Sequence, residues 1–121
     1  MKLFRIAAVI SSNFSNYELL SDKLDLYLLY QLDVEFLVKM SNFGSEKLIE
    51  KYANEKSHKI RRFIKDNDSF GKMAEIQQAH KLIESCDALI IFCERKSDKN
   101  MVLDICRKAN KPFRVVPFLG V

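Results

Sequence analysis

The sequence predicts a Rossmann-like α/β fold, a doubly wound parallel sheet of five strands with helices on both faces. Five apolar, β-rich segments alternate along the chain with four helical patterns, and short polar turns join them. The segment from Ala88 to Cys93 is almost entirely apolar, as expected for a strand that is covered on both faces. Because neighbouring parallel strands need a crossover connection, and a helix supplies one, the alternation favours parallel pairing.

The first strand is predicted over residues 2–10, and the first helix follows it. Ser15 and Glu18 have the spacing of a capping box, and they precede an apolar pattern with a helical period. The residues expected on the inner face of this helix are Leu20, Leu24 and Tyr27. The chain therefore opens with a strand and a helix.

The second and third units repeat this pattern. A strand over residues 34–40 leads to a helix that begins near Gly44 and Ser45, and a strand over residues 58–65 leads through turn residues 66–69 to another helix. The inner face of the first helix is expected to carry Leu48, Ile49, Tyr52 and Ala53. The inner face of the second is expected to carry Met73, Ile76, His80 and Ile83.

The last unit consists of a strand over residues 88–93, a helix over residues 101–109 and a strand over residues 112–118. The apolar composition of Ala88 to Phe92 makes this segment the candidate for a buried central strand. The residues expected on the inner face of the last helix are Val102, Ile105, Cys106 and Ala109.

The composition indicates a single globular domain over residues 1–121. The chain is 48% apolar and 30% charged, and no apolar run is long enough to cross a bilayer. The run from Ile6 to Ile10 is too short for a secretory signal and has no small-residue cleavage site behind it. We therefore expect a cytoplasmic protein that does not contact a membrane.

The three cysteines are expected to be reduced core residues. Cys86, Cys93 and Cys106 each lie in or beside an apolar segment, and an odd number cannot pair completely. Cys86 and Cys93 are separated by the length of a strand, which does not fit zinc-ligand spacing, so we expect no metal and no cofactor. A Cys–His pair of Cys93 with His80 is conceivable, but both are predicted on apolar faces and are interpreted as core residues.

The net charge is +4, and basic residues are interspersed with Asp and Glu over most of the chain. The densest basic group lies around the third predicted strand and consists of Lys56, His58, Lys59, Arg61, Arg62 and Lys65. Such a group could bind nucleic acid. We favour the alternative, in which these charges protect an edge strand from unwanted pairing, and do not expect a nucleic-acid partner.

Five segments, in chain order, resemble one family. They are Ser11 to Asp25 (SSNFSNYELLSDKLD), Phe43 to Glu46 with the helix that follows, Phe70 to Ala74 (FGKMA), Cys86 to Phe92 (CDALIIF) and Lys111 to Val116 (KPFRVV). Together they are similar to the YpsA-related branch of the SLOG superfamily, and the similarity covers essentially the whole chain. It implies a Rossmann-like fold that binds nucleotides or nucleotide-derived ligands. In some distant members the glycosidic bond of the nucleotide is hydrolysed.

The sequence departs from the family pattern where phosphate would bind. The Gly-Ser-Arg of the family falls on Ser11, Ser12 and Asn13, so the glycine and the cation are both lost. The Arg-Asn pair of the third helix falls on Gln78 and Ala79. Because a phosphate-binding turn needs bare backbone amides, we expect free phosphate and simple mononucleotides to bind poorly.

The candidate ligand-binding residues lie in the turns after the first, second and fourth strands. They are Ser12, Asn13, Ser41, Asn42, Gly44, Glu46, Glu94, Lys96, Ser97, Lys99 and Asn100. For the Ser and Asn residues we favour a role in the turns alone. Glu46 either faces the ligand, as its family counterpart does, or is a surface acid favoured by the helix dipole. Lys96 and Lys99 either replace the lost cation or are exposed loop lysines.

Three functions follow from this sequence. The favoured one is non-catalytic binding of a nucleotide-derived small molecule in a remodelled pocket. The first alternative is a Rossmann-like scaffold that has lost its ligand and works through protein contacts, as a homodimer or as an inhibitor of a host protein. The few glycines and the many Lys, Asn, Ile and Asp residues would suit the AT-rich genome of a phage or mobile element. The second alternative is a nucleotide N-glycosidic-bond hydrolase, for which Glu46 is the residue we nominate.

Overall fold

A computed structural model describes residues 3–11, 14–39, 46–63, 71–94 and 101–118, and in them strands and helices alternate as predicted. The strands are β1 (Phe4–Ile10), β2 (Val34–Lys39), β3 (Lys59–Phe63), β4 (Ala88–Glu94) and β5 (Phe113–Phe118). The helices are α1 (Tyr17–Tyr27), α2 (Lys47–Glu55), α3 (Gly71–Ser85) and α4 (Met101–Lys108). None of these helices combines the length and the apolar composition that a membrane span requires.

The five strands form one parallel sheet in the order β3-β2-β1-β4-β5, which confirms the predicted fold class. In this sheet Ile6 of β1 lies opposite Phe36 of β2 on one side and Ala88 of β4 on the other. Strand β4 is therefore interior and buried, as predicted, although the middle strand of the sheet is β1. Strands β3 and β5 are the edges.

The sheet separates two apolar cores, one on each face. On β4, Ile90 and Phe92 belong to the core under α1 and α2, whereas Leu89 and Ile91 belong to the core under α3 and α4. The helices close the first core with Leu20, Leu24, Ile49, Tyr52 and Ala53. They close the second with Ala79, Leu82, Ile83, Val102, Leu103 and Cys106. Helices thus cover both faces, as a doubly wound sheet requires.

Helix α1 is capped by Asn16 and not by Ser15. The side-chain oxygen of Asn16 accepts a hydrogen bond from the backbone N–H of Leu19 at 3.0 Å, and the helix begins at Tyr17. Asparagine caps a helix at least as well as serine, so Asn16 takes the N-cap position that the Ser15–Glu18 spacing assigns to Ser15. The prediction was therefore wrong by one residue.

The inner faces of α3 and α4 differ from the prediction at several positions. His80 and Met73 of α3 are exposed, and Ala109, predicted on the inner face of α4, lies beyond the end of that helix and is also exposed. The inner stripe instead consists of Ala79, Leu82 and Ile83 of α3, and Cys86 just after the helix continues it. These residues have the i, i+3, i+4, i+7 spacing of a single helix face, and that face excludes His80. His80 is therefore not a core residue.

Lys111 joins the end of α3 to the start of β5. Its ammonium group donates hydrogen bonds to the backbone carbonyl oxygens of Ile83 at 2.6 Å, Glu84 at 3.0 Å and Cys86 at 2.8 Å. Carbonyls at the C-terminal end of a helix lack partners within the helix, and a cation there also complements the helix dipole. The lysine of the Lys-Pro segment therefore caps a helix.

The two edges of the sheet carry different side chains. Strand β3 exposes Lys59 and Arg61, and it also exposes Arg62, which forms an ion pair with Glu50 at 3.1 Å. This strand is an edge, as the charge pattern predicted. At the other edge, β5 exposes Phe113 and Val115.

Candidate functional site

The switch point of this sheet lies between β1 and β4. The chain leaves β1 through α1 on one face of the sheet and reaches β4 from α3 on the other face. In open α/β sheets, ligands bind beyond the carboxyl ends of the strands at such a point. The described residues nearest to it are Ile10 at the end of β1, Ser11 after it, and Cys93 and Glu94 at the end of β4.

Several described backbone amides between β1 and the first turn of α1 are bonded within the protein. The N–H of Ser11 donates to the carbonyl oxygen of Phe92 at 2.9 Å, and the N–H of Phe14 donates to the carbonyl oxygen of Ser11 at 3.0 Å. The N–H of Leu19 donates to the side chain of Asn16. A phosphate-binding turn presents its amides to the ligand. These three amides are already engaged and are not offered to an anion.

The ring of Phe14 fills the space beneath this turn. It is 4% exposed, and its centroid lies 5.3 Å from that of Phe92 and 4.8 Å from that of Phe118, the latter in an edge-to-face arrangement. Such geometry is favourable for aromatic pairs. Phe14 therefore attaches the turn to the carboxyl ends of β4 and β5 and gives the base of the candidate site an apolar lining.

Glu46 is buried, and the prediction of a surface acid was wrong. It occupies the N-cap position of α2, makes no capping hydrogen bond with its side chain, and is only 6% exposed. The reason is its spacing, because Glu46 precedes Ile49 by three residues and Ala53 by seven and so shares their inner stripe. A buried carboxylate is costly unless it is paired, so a change at Glu46 affects stability more than the surface interpretation predicted.

Gln78 and Ala79, the positions that correspond to the Arg-Asn pair of the SLOG pattern, pack α3 against the sheet. The side-chain amide of Gln78 is 3% exposed and donates to the carbonyl oxygen of Phe63 at 2.8 Å, at the carboxyl end of β3. Ala79 is completely buried in the core under α3 and α4. Neither residue supplies a cation to a ligand.

Most of the predicted ligand residues lie outside the described residues. These are Ser12, Asn13, Ser41, Asn42, Gly44, Lys96, Ser97, Lys99 and Asn100. Glu94 is described as the last residue of β4, without its side chain. The assignment of these residues to a site stays a prediction.

The cysteines lie in or against the core under α3 and α4. All three are reduced thiols, with Cys86 and Cys106 buried and Cys93 partly buried near the end of β4. Burial raises the pKa of both Cys86 and Cys106, while the nearby Lys111 opposes the rise. Within the described ranges, no three His, Cys, Asp or Glu residues are grouped as a metal site would need.

A groove that the sequence did not predict runs between α1 and β5. Its volume is about 300 Å³. Its lining residues are Leu19, Lys23, Leu26, Ile90, Arg114, Val115, Val116 and Pro117. The described ion pairs include neither Lys23 nor Arg114. The spacing of Leu19, Lys23 and Leu26 on one side of α1 was the available signal, but the position of β5 beside it could not be inferred without the strand order.

The C-terminal end of α1 and the turn after it form an exposed apolar surface, which we call the α1 patch. It consists of Leu26, Leu29, Tyr30 and Leu32, which are 68%, 63%, 88% and 79% exposed. Single exposed apolar residues are ordinary, but four large ones within seven positions are typical of an interaction surface.

Comparison of the chain with protein-family models, with curated proteins and with solved structures found no match. The similarity to the SLOG superfamily therefore rests on the sequence motifs alone and stays a prediction, whereas the Rossmann-like α/β fold follows from the strand order and the placement of the helices.

Proposed function

We propose that this protein binds a small uncharged molecule of nucleoside type at the switch point between β1 and β4, without a phosphate grip and without catalysis. The observation that carries the proposal is the engagement of the Ser11 and Phe14 amides in the β1–α1 turn and of the Leu19 amide in the first turn of α1. A sheet of this topology favours a ligand at this edge, and the engaged amides disfavour an anionic one.

Recognition then depends on neutral side chains. The turn residues Ser12, Asn13, Ser41 and Asn42 offer hydroxyl and amide groups, which both donate and accept hydrogen bonds as the edges of a base or a ribose do. A phosphate would gain little here, because each charge-assisted hydrogen bond that the turn no longer makes would have contributed about 1.5–3 kcal/mol. The proposed ligand is therefore the nucleoside part of a nucleotide.

The absence of catalysis in this proposal rests on Glu46. A general acid or base must come within hydrogen-bonding distance of the substrate. The side chain of Glu46 lies on the inner stripe of α2 and is almost completely buried. The burial of Glu46 therefore argues against the hydrolase alternative, which needs this carboxylate beside the substrate. It favours binding without catalysis.

Calorimetric titration with nucleosides and their 5′-monophosphates tests this proposal. For the base that binds, we expect the nucleoside to bind at least as tightly as its monophosphate, and Ser12→Ala to weaken this binding. Ser15→Ala is the matched control, because Ser15 is exposed and does not cap α1. A monophosphate that binds about tenfold more tightly than its nucleoside, a difference of about 1.4 kcal/mol, would refute the proposal. No binding of any nucleoside at millimolar concentration would also refute it.

A second candidate function is a scaffold that works through protein contacts, and the α1 patch favours it. An exposed apolar surface of this kind is stabilised when a partner removes it from water. The candidate partners are a second copy of the chain and a host protein. On this proposal, Leu29→Gln with Leu32→Gln weakens the protein contact and leaves nucleoside binding unchanged, which separates the two functions.

A further inference from the structure

We propose that the chain forms a symmetric homodimer in which the two copies of α1 pack antiparallel about a twofold axis between Asp22 and Lys23. The inference rests on the second candidate function and names its partner as a second copy of this chain. Such a dimer requires a self-complementary surface on α1, because a twofold axis brings the same patch of both copies together.

Helix α1 carries such a surface. Leu19, Asp22, Lys23 and Leu26 share one side of the helix at spacings of three, one and three residues. The midpoint of this set lies between Asp22 and Lys23. An antiparallel copy about that midpoint therefore places Asp22 opposite the partner's Lys23 and Leu19 opposite the partner's Leu26. Both apolar contacts and both charge pairs are complementary.

Two charged groups of this stripe lack ion-pair partners in the described part of the chain, whereas Asp25, on the side that faces α2, has partners. On the α2 side, Asp25 accepts a hydrogen bond from the Tyr52 hydroxyl at 2.7 Å and lies 3.8 Å from the ammonium group of Lys56. On the stripe itself, Asp22 and Lys23 belong to none of the described ion pairs. The unpaired charges are those that the twofold arrangement would pair.

Arg114 lines the groove beside α1 together with Lys23 and Leu26, so it lies at the margin of the stripe. Like Lys23, it belongs to none of the described ion pairs.

The apolar residues around this stripe are those that remain exposed in a single copy. Leu26 is 68% exposed, and the exposed Leu29 and Tyr30 follow it by three and four residues. Val115 of β5 is also exposed, and it lines the groove beside α1. A partner that covered α1 and the groove would remove this surface from water, which is the main driving force of association.

Charge reversal tests the twofold arrangement directly. Asp22→Lys and Lys23→Asp each replace two attractive contacts per dimer with two repulsive ones, so we expect the dissociation constant to rise about tenfold or more in sedimentation experiments. The double variant Asp22→Lys with Lys23→Asp restores opposite charges across the axis and is expected to dimerise like the wild type. Both positions are exposed, so circular dichroism should show an unchanged fold.

A mixture of the two single variants gives the sharpest result. One variant carries two lysines at positions 22 and 23 and the other two aspartates, so the mixture is expected to form a heterodimer while each variant alone stays monomeric. Lys81→Asp on the exposed side of α3 is the matched control and is expected to leave dimerisation unchanged. Leu26→Gln, at the apolar end of the stripe, is expected to weaken the dimer.

Three results would overturn the inference. A wild-type protein that is monomeric at millimolar concentration excludes the dimer, although a host protein could then still occupy the α1 patch. A dimer that is unaffected by both single reversals uses another surface. A mixture of the two single variants that fails to associate excludes the antiparallel register about Asp22 and Lys23.

Discussion

Lys111→Met should destabilise the protein more than any other single lysine change on its surface. The substitution keeps most of the apolar stem but removes the ammonium group, and with it the three hydrogen bonds to the carbonyl oxygens of Ile83, Glu84 and Cys86. These bonds hold the C-terminal end of α3 against the residue that precedes β5. The change therefore tests whether the cap stabilises the fold.

The magnitude follows from the three contacts and from their surroundings. Hydrogen bonds to a charged donor contribute about 1.5–3 kcal/mol each, which would give about 4.5–9 kcal/mol for three. The real loss is smaller, because the carbonyl of Glu84 is exposed and those of Ile83 and Cys86 are only partly buried, so water replaces much of what the ammonium group supplied. We expect the free energy of unfolding to fall by about 2–3 kcal/mol and the melting temperature by about 8–12 °C.

Urea and thermal unfolding of Lys111→Met measure this loss. Lys81→Met is the matched control, because Lys81 is exposed on α3, and it should change stability by less than about 0.5 kcal/mol. Lys111→Arg keeps the charge but presents planar donors to three converging carbonyls, so we expect about half of the loss. If Lys111→Met and Lys81→Met had equal effects, the cap would contribute nothing and the reasoning would be refuted.

Two further predictions concern aromatic residues, the partly buried Tyr17 and the buried Phe14. Burial and the 2.8 Å hydrogen bond to Glu55 raise the pKa of Tyr17 to about 12. Because this value lies above the usual pKa of about 10 in an unfolded chain, the contribution of Tyr17 to stability is complete below pH 10 and is lost as the pH rises towards 12. Ultraviolet titration of Tyr17→Phe should lack one late-ionising tyrosine, and an unchanged titration would contradict this. Phe14→Ala should cost about 3–5 kcal/mol in urea unfolding, because it leaves a cavity between Phe92 and Phe118. A cost below about 1 kcal/mol would show that the ring does not hold the turn.

The fold could be predicted because its signals are local and repeated. The run from Ala88 to Phe92 is apolar at every position, which is how a strand covered on both faces must read, and helical patterns flank it. The charges of Lys59 and Arg61 correctly marked β3 as an edge. Each of these inferences needs only the periodicity of apolar residues along the chain and the free-energy cost of exposing an apolar side chain or burying a charged one.

The errors arose where two local signals compete. Glu46 has the position of a first-turn acid, but it also stands three residues before Ile49, and the burial of that stripe prevailed. His80 fitted an apolar stripe that is one position away from the real one through Ala79 and Ile83. A shift of one residue rotates a helix position by about 100°, which is enough to move a side chain from the core to the surface.

The groove and the cap by Lys111 belong to a different category. Each depends on residues distant in sequence, α1 against β5 in one case and Cys86 against Lys111 in the other. The strand order that brings them together is a global property of the sheet. A single sequence indicates the elements but not this adjacency, so neither feature had a local signal strong enough to predict it.

The contrast between the two sheet edges limits how copies of this protein can assemble. An endless row of sheets would require β3 of one copy to lie beside β5 of the next, since head-to-tail contacts of unlike surfaces generate open filaments. That contact would bring Arg62 towards Arg114 on one face of the sheet, and the charged Lys59 and Arg61 towards the apolar Phe113 and Val115 on the other. Neither combination favours continuous pairing. Growth in one direction is thereby discouraged, and assemblies that close on themselves are favoured over fibres.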